Sequence, residues 1–553
     1  MSDTPTRASV QARVQPLGRG SQSQLRYARF LLLRIDDAAA TRAWLRGKAL
    51  QTLLRAPADD DSGRAPGEAL SIAFTYGGLR AMGVDESVDF PFPTAFRGGM
   101  TEPDRVLAMG DTLRDWRWGD RSDAKLPEVQ VLLAHYWLMS YDEHGPLADL
   151  ALQQAGLTLI AAVQTCASYL QPAAANGASD DVPADSATDD VTPAGAGAAV
   201  AARRGRPARL PPMVLREPFG FRDGLSQPRL RYDTGLDTDL SLAKDHSVAA
   251  GEFFLGLRNQ YGDPAYAPDV CGWPLVDDQG PAPHRFGSHG SYLAVRQIRQ
   301  FVDEFEAFER AQPRVPAGQP SMTEKMMGRR KDGRPLVIQP PGAGSLNDFR
   351  YRMQDAEGFG CPIGAHVRRG NPRDSLGWNV RSGVANAKLH RLLRRARVFC
   401  EGSKHAAAGA CAGTADPQRC GQGLFFMALF ADFDRQFEFV QQRWLGNPQF
   451  GDLAGEDDPV IGSGRSRFTV PGPAVGRHCP TVPRFTQTIG GGYFFLPSLA
   501  ALAFLARLQP ASAGLSETVP AQGVVEPAGQ PSGEYRRDQP GQQPDQQAQP
   551  SRP

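Results

Sequence analysis

Three segments of the sequence combine backbone-bending residues with ionisable side chains that could do chemistry. In the first, residues 217–228, Gly220 and Gly224 bracket Asp223. Glycines this close permit a tight turn that presents one carboxylate into a cavity, where the carboxylate could shuttle a proton. The alternative is that Asp223 only caps the turn with its side chain.

The second segment, residues 361–373, places His366 directly after a bend marked by proline and glycine. A neutral imidazole could ligate haem iron, and Arg368, Arg369 and Arg373 could meet the haem propionates. Taken alone, a single histidine is more often a structural residue than a ligand, and arginines lie mostly on the surface.

The third segment, residues 390–399, is a run of positive charge. One guanidinium turned inward could hold peroxide and stabilise negative charge as the O–O bond breaks. A solvated helix face is the ordinary interpretation of such a run. Each segment is therefore ambiguous by itself, and their joint occurrence in this order is the informative feature.

The stretch of residues 25–505 resembles the dye-decolorizing peroxidases, whose G-x-x-D-G signature stands here as Gly220-Phe-Arg-Asp-Gly224. The similarity continues through GEFFLG at Gly251, GSYLAVRQI at Gly290, CPIGAHVRRGNPR around His366, LLRRARVF around Arg394, GLFFMALFADFDRQFEFVQQRW ending at Trp444 and GGGYFFLPS at Gly490.

The resemblance implies a role for each matching position. His366 matches the family's proximal histidine, which bonds the iron of haem b, and Arg368 is expected to contact the haem. Asp223 matches the distal aspartate, which helps peroxide lose one proton and regain it on the leaving oxygen. Arg394 matches the distal arginine, with Arg395 as the alternative if the register slips.

The family also places an acidic residue against the other nitrogen of the proximal imidazole, which strengthens iron ligation. Asp434 is the better match for this residue, and Asp432 is the alternative. Residues 366 and 394 lie further apart than in compact family members, so a loop insertion between them makes the arginine assignment depend on the register.

The resemblance implies an enzyme, a DyP-type peroxidase. It would reduce hydrogen peroxide and oxidise aromatic or dye-like donors by one-electron steps through an iron-oxo intermediate. A rival is a haem-binding carrier, or a haem- or iron-release protein with incidental peroxidase activity, which needs His366 but neither Asp223 nor Arg394. A third interpretation, an interaction protein without a cofactor, requires the three segments to coincide by chance.

The elements that must position these residues follow a similar order in the two halves of the chain. Strand patterns at residues 27–35, 70–74 and 129–135 and a helical pattern at 38–54 are followed by strand patterns at 291–298 and 424–431. This order predicts an α+β fold. The resemblance implies two ferredoxin-like domains, each an antiparallel sheet with helices on one face, with the haem held mainly by the C-terminal domain.

Composition suggests where these domains begin and end. We expect a disordered N-terminus at residues 1–24, an N-terminal domain at 25–170 and a C-terminal haem-binding domain at 213–508. The Ala- and Asp-rich stretch 171–212 is a linker or insertion, and the Gln- and Pro-rich tail 509–553 is expected to be disordered, because neither buries enough apolar surface to offset its ordering entropy.

Charge and hydropathy limit the classes of partner that this protein could bind. With 61 basic and 60 acidic residues, the chain has no global field to recruit nucleic acid or an anionic membrane. No apolar stretch approaches the ~18 residues of a membrane span, and no secretory signal is evident, so we expect a cytoplasmic protein. A homo-oligomer is compatible with the sequence. The seven cysteines include no C-x-x-C pair, and we expect reduced, non-ligating thiols.

Overall fold

The computed structural model of the protein describes residues 5–20, 25–55, 67–121, 126–138, 152, 154–165, 169–172, 213–232, 241–242, 245–274, 276–277, 280–281, 285–340, 345–401, 421–464 and 467–509. The strands are β1 Tyr27–Ile35, β2 Glu68–Phe74, β3 Val131–Trp137, β4 Leu157–Gln164, β5 Leu170–Pro172, β6 Met213–Leu215, β7 Arg229–Arg231, β8 Ser247–Ala249, β9 Val276–Asp277, β10 Gly280–Pro281, β11 Ser291–Gln300, β12 Leu393–Arg394, β13 Arg397–Cys400, β14 Gln422–Phe430, β15 Phe468–Val470, β16 Arg477–Cys479 and β17 Thr486–Leu496.

The helices are α1 Arg7–Gln11, α2 Pro16–Arg19, α3 Ala38–Leu45, α4 Lys48–Leu54, α5 Tyr76–Ala81, α6 Thr94–Gly98, α7 Pro103–Ala108, α8 Val302–Ala311, α9 Met322–Met327, α10 Tyr351–Gln354, α11 His366–Gly370, α12 Val380–Leu389 and α13 Leu499–Arg507. Short 3₁₀ turns lie at Leu113–Asp115, Ala250–Glu252 and Phe450–Asp452, and π-helical turns at Phe433–Phe437 and Val440–Leu445. The predicted helix at 38–54 is divided into α3 and α4, because Gly47 lies between them with a non-helical ψ of 131°.

The main sheet contains nine strands, all paired antiparallel. In the first half the order is β2-β3-β1-β4, and in the second half β14 lies between β11 and the pair β12 and β13, with β17 on the other side of β11. Both halves therefore have the strand order 2-3-1-4 of a βαββαβ unit. The predicted α+β class with two ferredoxin-like halves is confirmed.

The two halves share one continuous sheet. Phe495 of β17 pairs with Phe74 of β2 and joins them. The ring of Phe30 in β1 stacks on Phe425 in β14 with centroids 4.5 Å apart, although four strands separate β1 from β14 in the sheet order. The sheet must therefore curve strongly. A bridge between Thr165 and Phe399 brings its two ends together.

The two faces of the sheet carry separate apolar clusters, because successive side chains of a strand point to opposite faces. Leu31 and Leu33 of β1 pack in one cluster with residues of α3, α4 and α13. Phe30 and Leu32 point to the other, concave face. Helices α3, α4 and α13 thus cover one face, as the sequence predicts.

Residues 5–20 correct one expectation. The sequence predicts disorder for residues 1–24, but α1 and α2 bury Val10 and Leu17 in the cluster on the concave face. The Gln15 side chain donates hydrogen bonds to the carbonyls of Ile72 and Pro497 at 2.9 and 2.8 Å. A few apolar side chains and one buried amide therefore fix a segment whose composition is mostly polar.

Several boundary predictions stay open. Both halves lie within one compact unit, Met1–Gln509. The expected domains 25–170 and 213–508 stay a prediction, and most of the linker 171–212, the insert 402–420 and the tail from 510 lie outside the described residues.

Cys400 is disulfide-bonded, so the expectation of reduced thiols is wrong at this position. Within the described part of the chain, no helix is long and apolar enough to cross a membrane.

Candidate functional site

The loop after β6 presents Asp223. Gly220 and Gly224 adopt left-handed φ values of 91° and 82°, which side chains with a Cβ rarely adopt, so the two glycines make the predicted tight turn. The backbone N–H of Asp223 donates to the carbonyl of Leu215 at 2.8 Å. Its carboxylate accepts from Gly224 N at 2.6 Å. The carboxylate therefore caps the turn and at the same time faces Arg394.

Arg394 lies beside this carboxylate. Its Nη1 atom is 3.5 Å from Asp223 Oδ1, with 36% of the arginine side chain and 19% of the aspartate side chain exposed. Nη2 donates to the carbonyl of Leu225 at 2.8 Å, which holds the guanidinium against the same loop. The pair combines a proton acceptor with a positive charge, as the distal roles require.

The segment around Arg394 is extended and not helical. Leu393 and Arg394 form β12 and pair with β14. The next residue, Arg395, donates from Nε to the carbonyl of Leu17 at 3.0 Å, on the other side of the strand. Arg394 is thus the arginine beside Asp223, and the alternative Arg395 is not.

His366 begins α11 and faces a buried carboxylate. Its Nδ1 atom lies 3.1 and 3.0 Å from the two carboxylate oxygens of Asp458, whose side chain is fully buried. Asp458 Oδ1 also accepts from the backbone N–H groups of Val460 and Ile461 at 2.8 and 3.0 Å. Because a carboxylate only accepts, Nδ1 carries the proton, and Nε2 keeps a lone pair for a metal.

Electrostatic interactions connect the three predicted residues. Burial acts to lower the pKa of His366, but the Asp458 carboxylate outweighs burial, so the pKa is raised. The charges of Arg394 and Asp223 also act on this imidazole, in opposite senses. Asp223 and Arg394 therefore lie within electrostatic range of His366.

The predicted carboxylate partner of His366 is wrong. Asp434 is exposed and makes no contact with the imidazole. Asp432 is the N-cap of the following helical turn and accepts from Arg435 N at 3.0 Å. Asp458 occupies the position instead. The only local signal in the sequence that marks Asp458 is the proline, Pro459, that directly follows it.

Arg368 has its hydrogen-bond partners within the protein. It is buried, and its Nη1 donates to the carbonyls of Cys361 and Asp355 at 2.7 and 3.0 Å, while its guanidinium lies 4.5 Å from the ring centroid of Tyr351. The predicted contact between Arg368 and haem stays a prediction, and the observed partners of this guanidinium are carbonyls of the loop that leads to His366.

A second group of cations lies next to the three segments. A small cavity is lined by Asp245, His246, Asn371, Arg373, Val384, Ala387, Lys388 and Arg391. Asn371 and Arg391 reach the distal loop, since they donate to the hydroxyl and the carbonyl of Ser226 at 3.3 and 2.5 Å. Burial, followed by the charges of Arg373 and Arg394, lowers the pKa of Arg391 to about 9, so Arg391 is positive at neutral pH. The cavity suits a carboxylate.

The donor set fits haem. Among the residues that the structure describes, no three His, Cys, Asp or Glu side chains cluster as a metal site. His366 offers one nitrogen, and a macrocycle that supplies the other ligands needs only one from the protein. The buried carboxylate on the opposite nitrogen is the usual support of such a histidine.

Comparison with curated proteins gives consistent relatives. No protein-family model matches the chain. The chain is 28% identical over 312 residues to a dye-decolorizing peroxidase of Auricularia auricula-judae, and 32% identical over 308 residues to a multifunctional dye peroxidase of an Amycolatopsis species. Each match covers 52% of this chain, and the chain spans only 55% and 60% of these two relatives. A dye-decolorizing peroxidase of Exidia glandulosa is 25% identical over 502 residues, with 86% of this chain and 83% of the relative covered.

Solved structures agree on the fold. A dye-decolorizing peroxidase in complex with 2,6-dimethoxyphenol has a TM-score of 0.60 at 21% identity and covers 90% of this chain and 99% of its own. The Amycolatopsis enzyme has a TM-score of 0.59 at 22% identity, with 92% and 98% covered. A dye-decolorizing peroxidase with an engineered heme pocket has a TM-score of 0.60 at 19% identity, with 90% and 99% covered. The chain is therefore similar in sequence to the dye-decolorizing peroxidases, and its fold of two ferredoxin-like halves is similar to theirs.

Proposed function

We propose that this protein is a haem-dependent peroxidase that reduces hydrogen peroxide and oxidises aromatic or dye-like donors. The observation that carries this proposal is the pairing of Asp223 with Arg394 at 3.5 Å, within electrostatic range of the His366 imidazole that the buried Asp458 carboxylate supports. The names of the relatives, all of them dye or dye-decolorizing peroxidases, support the same activity.

Haem b, when bound, would supply a redox-active iron that exchanges electrons with peroxide and donor. His366 would ligate this iron through Nε2, and Asp458 would hold the proton on Nδ1 and keep the imidazole oriented. The cationic cavity at Arg373 and Arg391 would take the haem carboxylates, the role that the sequence predicts for Arg368, Arg369 and Arg373.

The distal pair would do the proton chemistry. Asp223 accepts a proton from one peroxide oxygen and returns it to the other oxygen, which leaves as water. The Arg394 guanidinium stabilises the negative charge that develops as the O–O bond breaks. In the balanced reaction, one hydrogen peroxide and two donor molecules, each giving one electron and one proton, yield two waters and two donor radicals.

The rival function is haem carriage or haem and iron release with incidental peroxidation. A carrier needs His366 and a site for the haem carboxylates. It does not need a carboxylate and a guanidinium held together where peroxide would react. The ordered contacts of Arg394 with Asp223 and Leu225 favour the enzyme. The cytoplasmic location and any homo-oligomer stay predictions.

Stopped-flow mixing of haem-loaded protein with peroxide tests the proposal. We expect a rapid spectral change in the wild type that is slowed about 100-fold or more in Asp223→Asn and Arg394→Leu, because general acid–base and charge stabilisation each contribute such factors. Arg395→Leu is the matched control, since this arginine faces the other side of the strand. Unchanged rates in both distal variants, or simple bleaching of the wild type, would exclude the assigned roles.

A further inference from the structure

A second carboxylate, that of Glu217, lies inside the loop that carries Asp223. Its side chain is buried, and it accepts three hydrogen bonds. Oε1 accepts from the backbone N–H of Phe221 at 2.9 Å, and Oε2 accepts from the backbone N–H of Phe219 at 2.9 Å. The third bond comes from Gln300 Nε2, which lies 2.6 Å from Oε2.

These bonds determine the path of the turn. With Gly220 in the left-handed region, the N–H groups on either side of it point into the loop, where buried donors must find an acceptor. The Glu217 carboxylate is that acceptor for both. The Glu217 backbone closes the same turn, since its N–H donates to Phe221 O at 3.0 Å and its carbonyl accepts from Gly220 N at 2.8 Å. Asp223 follows Phe221 by two residues.

The same carboxylate connects the loop to the scaffold. Gln300 is the last residue of β11, a central strand of the sheet. Phe219 stacks on Phe305 of α8 with ring centroids 4.2 Å apart, beside the bond from Gln300. The loop is thus fixed to both a strand and a helix at the turn that precedes Asp223.

An amide cannot replace this carboxylate. A carboxylate accepts on both oxygens, whereas glutamine has one accepting oxygen and an NH₂ group that only donates. At position 217 that NH₂ would face a donor, either Phe221 N–H or the pair of Phe219 N–H and Gln300 Nε2. At least one buried donor would lose its partner.

We propose that Glu217 is the positioning residue of the distal loop and that its carboxylate fixes Asp223 relative to Arg394. The effect on peroxide chemistry rests on the proposed function, whereas the effect on the loop does not. Amide hydrogen exchange of the loop and the kinetics of peroxide consumption therefore test two separable consequences.

The experiment compares haem-loaded wild type with Glu217→Gln. We expect amide exchange across residues 219–224 to accelerate about tenfold or more, as for the loss of one buried hydrogen bond. We expect kcat/KM for hydrogen peroxide to fall at least about tenfold, while kcat/KM for an aromatic donor and the Soret band stay unchanged. Glu438→Gln is the matched control, because Glu438 is a buried carboxylate that accepts from Tyr493 and Arg105 away from the loop.

Unchanged exchange at residues 219–224 in Glu217→Gln would overturn the proposal. Accelerated exchange with an unchanged peroxide rate would also overturn it, because Asp223 would then not depend on Glu217. If the wild type does not react with peroxide, the proposed function fails, and the exchange result still decides whether Glu217 holds the loop. Should Glu217→Gln not fold, Gln300→Leu removes the scaffold bond without a change of charge, and we expect the same pattern with smaller factors.

Discussion

The most specific prediction concerns Asp458, the carboxylate on His366. In Asp458→Asn, the side chain has only one oxygen. This oxygen keeps the hydrogen bonds from Val460 N and Ile461 N if it takes the position of Oδ1. The new NH₂ group then occupies the Oδ2 position, 3.0 Å from His366 Nδ1. Two hydrogen-bond donors, the asparagine NH₂ group and the Nδ1–H of His366, would then face each other. The imidazole relieves this conflict by moving its proton to Nε2, which removes the lone pair that iron needs.

The magnitude follows from the role of the carboxylate. Loss of the partner of a metal-bound histidine typically costs 10–100-fold in metal affinity, which is roughly 1.4–2.8 kcal/mol. Because Asp458 is fully buried and water cannot replace it, we expect the upper part of this range. The iron should also become easier to reduce, since a neutral partner makes the imidazole a weaker electron donor.

The assay is transfer of haem from the loaded protein to an excess of a tight haem acceptor, followed by the Soret absorbance. We expect faster haem loss from Asp458→Asn and a wild-type rate from Asp434→Asn. Asp434 is the matched control, because the sequence predicts it as the partner while the structure places it on the surface. Equal haem loss from Asp458→Asn and the wild type, or a larger effect at Asp434, would refute the reasoning.

Two further predictions concern the surroundings of the site. Arg391→Leu should accelerate haem loss about tenfold in the same transfer assay, since it removes a buried cation from the cavity assigned to the haem carboxylates, and an unchanged rate would contradict that assignment. Burial raises the pKa of Glu217 from 4.5 to about 7, even though hydrogen bonds from Phe219, Gln300 and Phe221 oppose the shift. The folded protein therefore binds this proton more tightly than the unfolded chain, and the free energy of unfolding should fall by up to about 3 kcal/mol from this group as pH rises from 4.5 to 7. Urea unfolding at pH 5 and pH 8 should show a smaller decrease in Glu217→Gln than in the wild type, and equal decreases would contradict this account.

Local sequence patterns predict five of the nine strands of the main sheet, β1, β2, β3, β11 and β14, but not β4, β12, β13 or β17. The pattern at residues 27–35 corresponds to β1 residue for residue. The apolar run at 424–431 lies in β14 up to Phe430, where both faces of the sheet are covered. These predictions work because a strand's period and burial are local properties. The end of a strand and the division of α3 from α4 depend on packing against distant elements and were less accurate.

Site residues were predictable where a motif carries its own backbone geometry. Gly220 and Gly224 predict the turn that presents Asp223, and the role of this carboxylate follows from the family resemblance. Asp458 could not be identified, because 92 positions separate it from His366 and only the tertiary fold brings them together. No periodic pattern in the sequence connects two residues that lie this far apart.

The direction of arginine side chains was equally hidden. From its residue type, Arg368 is expected on the surface. In the structure it is buried and donates hydrogen bonds to the carbonyls of an irregular loop. The choice between Arg394 and Arg395 became clear only once β12 paired with β14, since alternation along a strand sends neighbouring side chains to opposite sides.

The central claim is that His366 ligates haem iron, and titration of haem into the apoprotein tests it most directly. We predict a saturable Soret band in the wild type at one haem per chain, and its loss or strong weakening in His366→Ala. His478→Ala, at an exposed histidine outside the site, should titrate like the wild type. A wild type that takes up no haem, or a His366→Ala variant that binds haem as tightly as the wild type, would contradict the account.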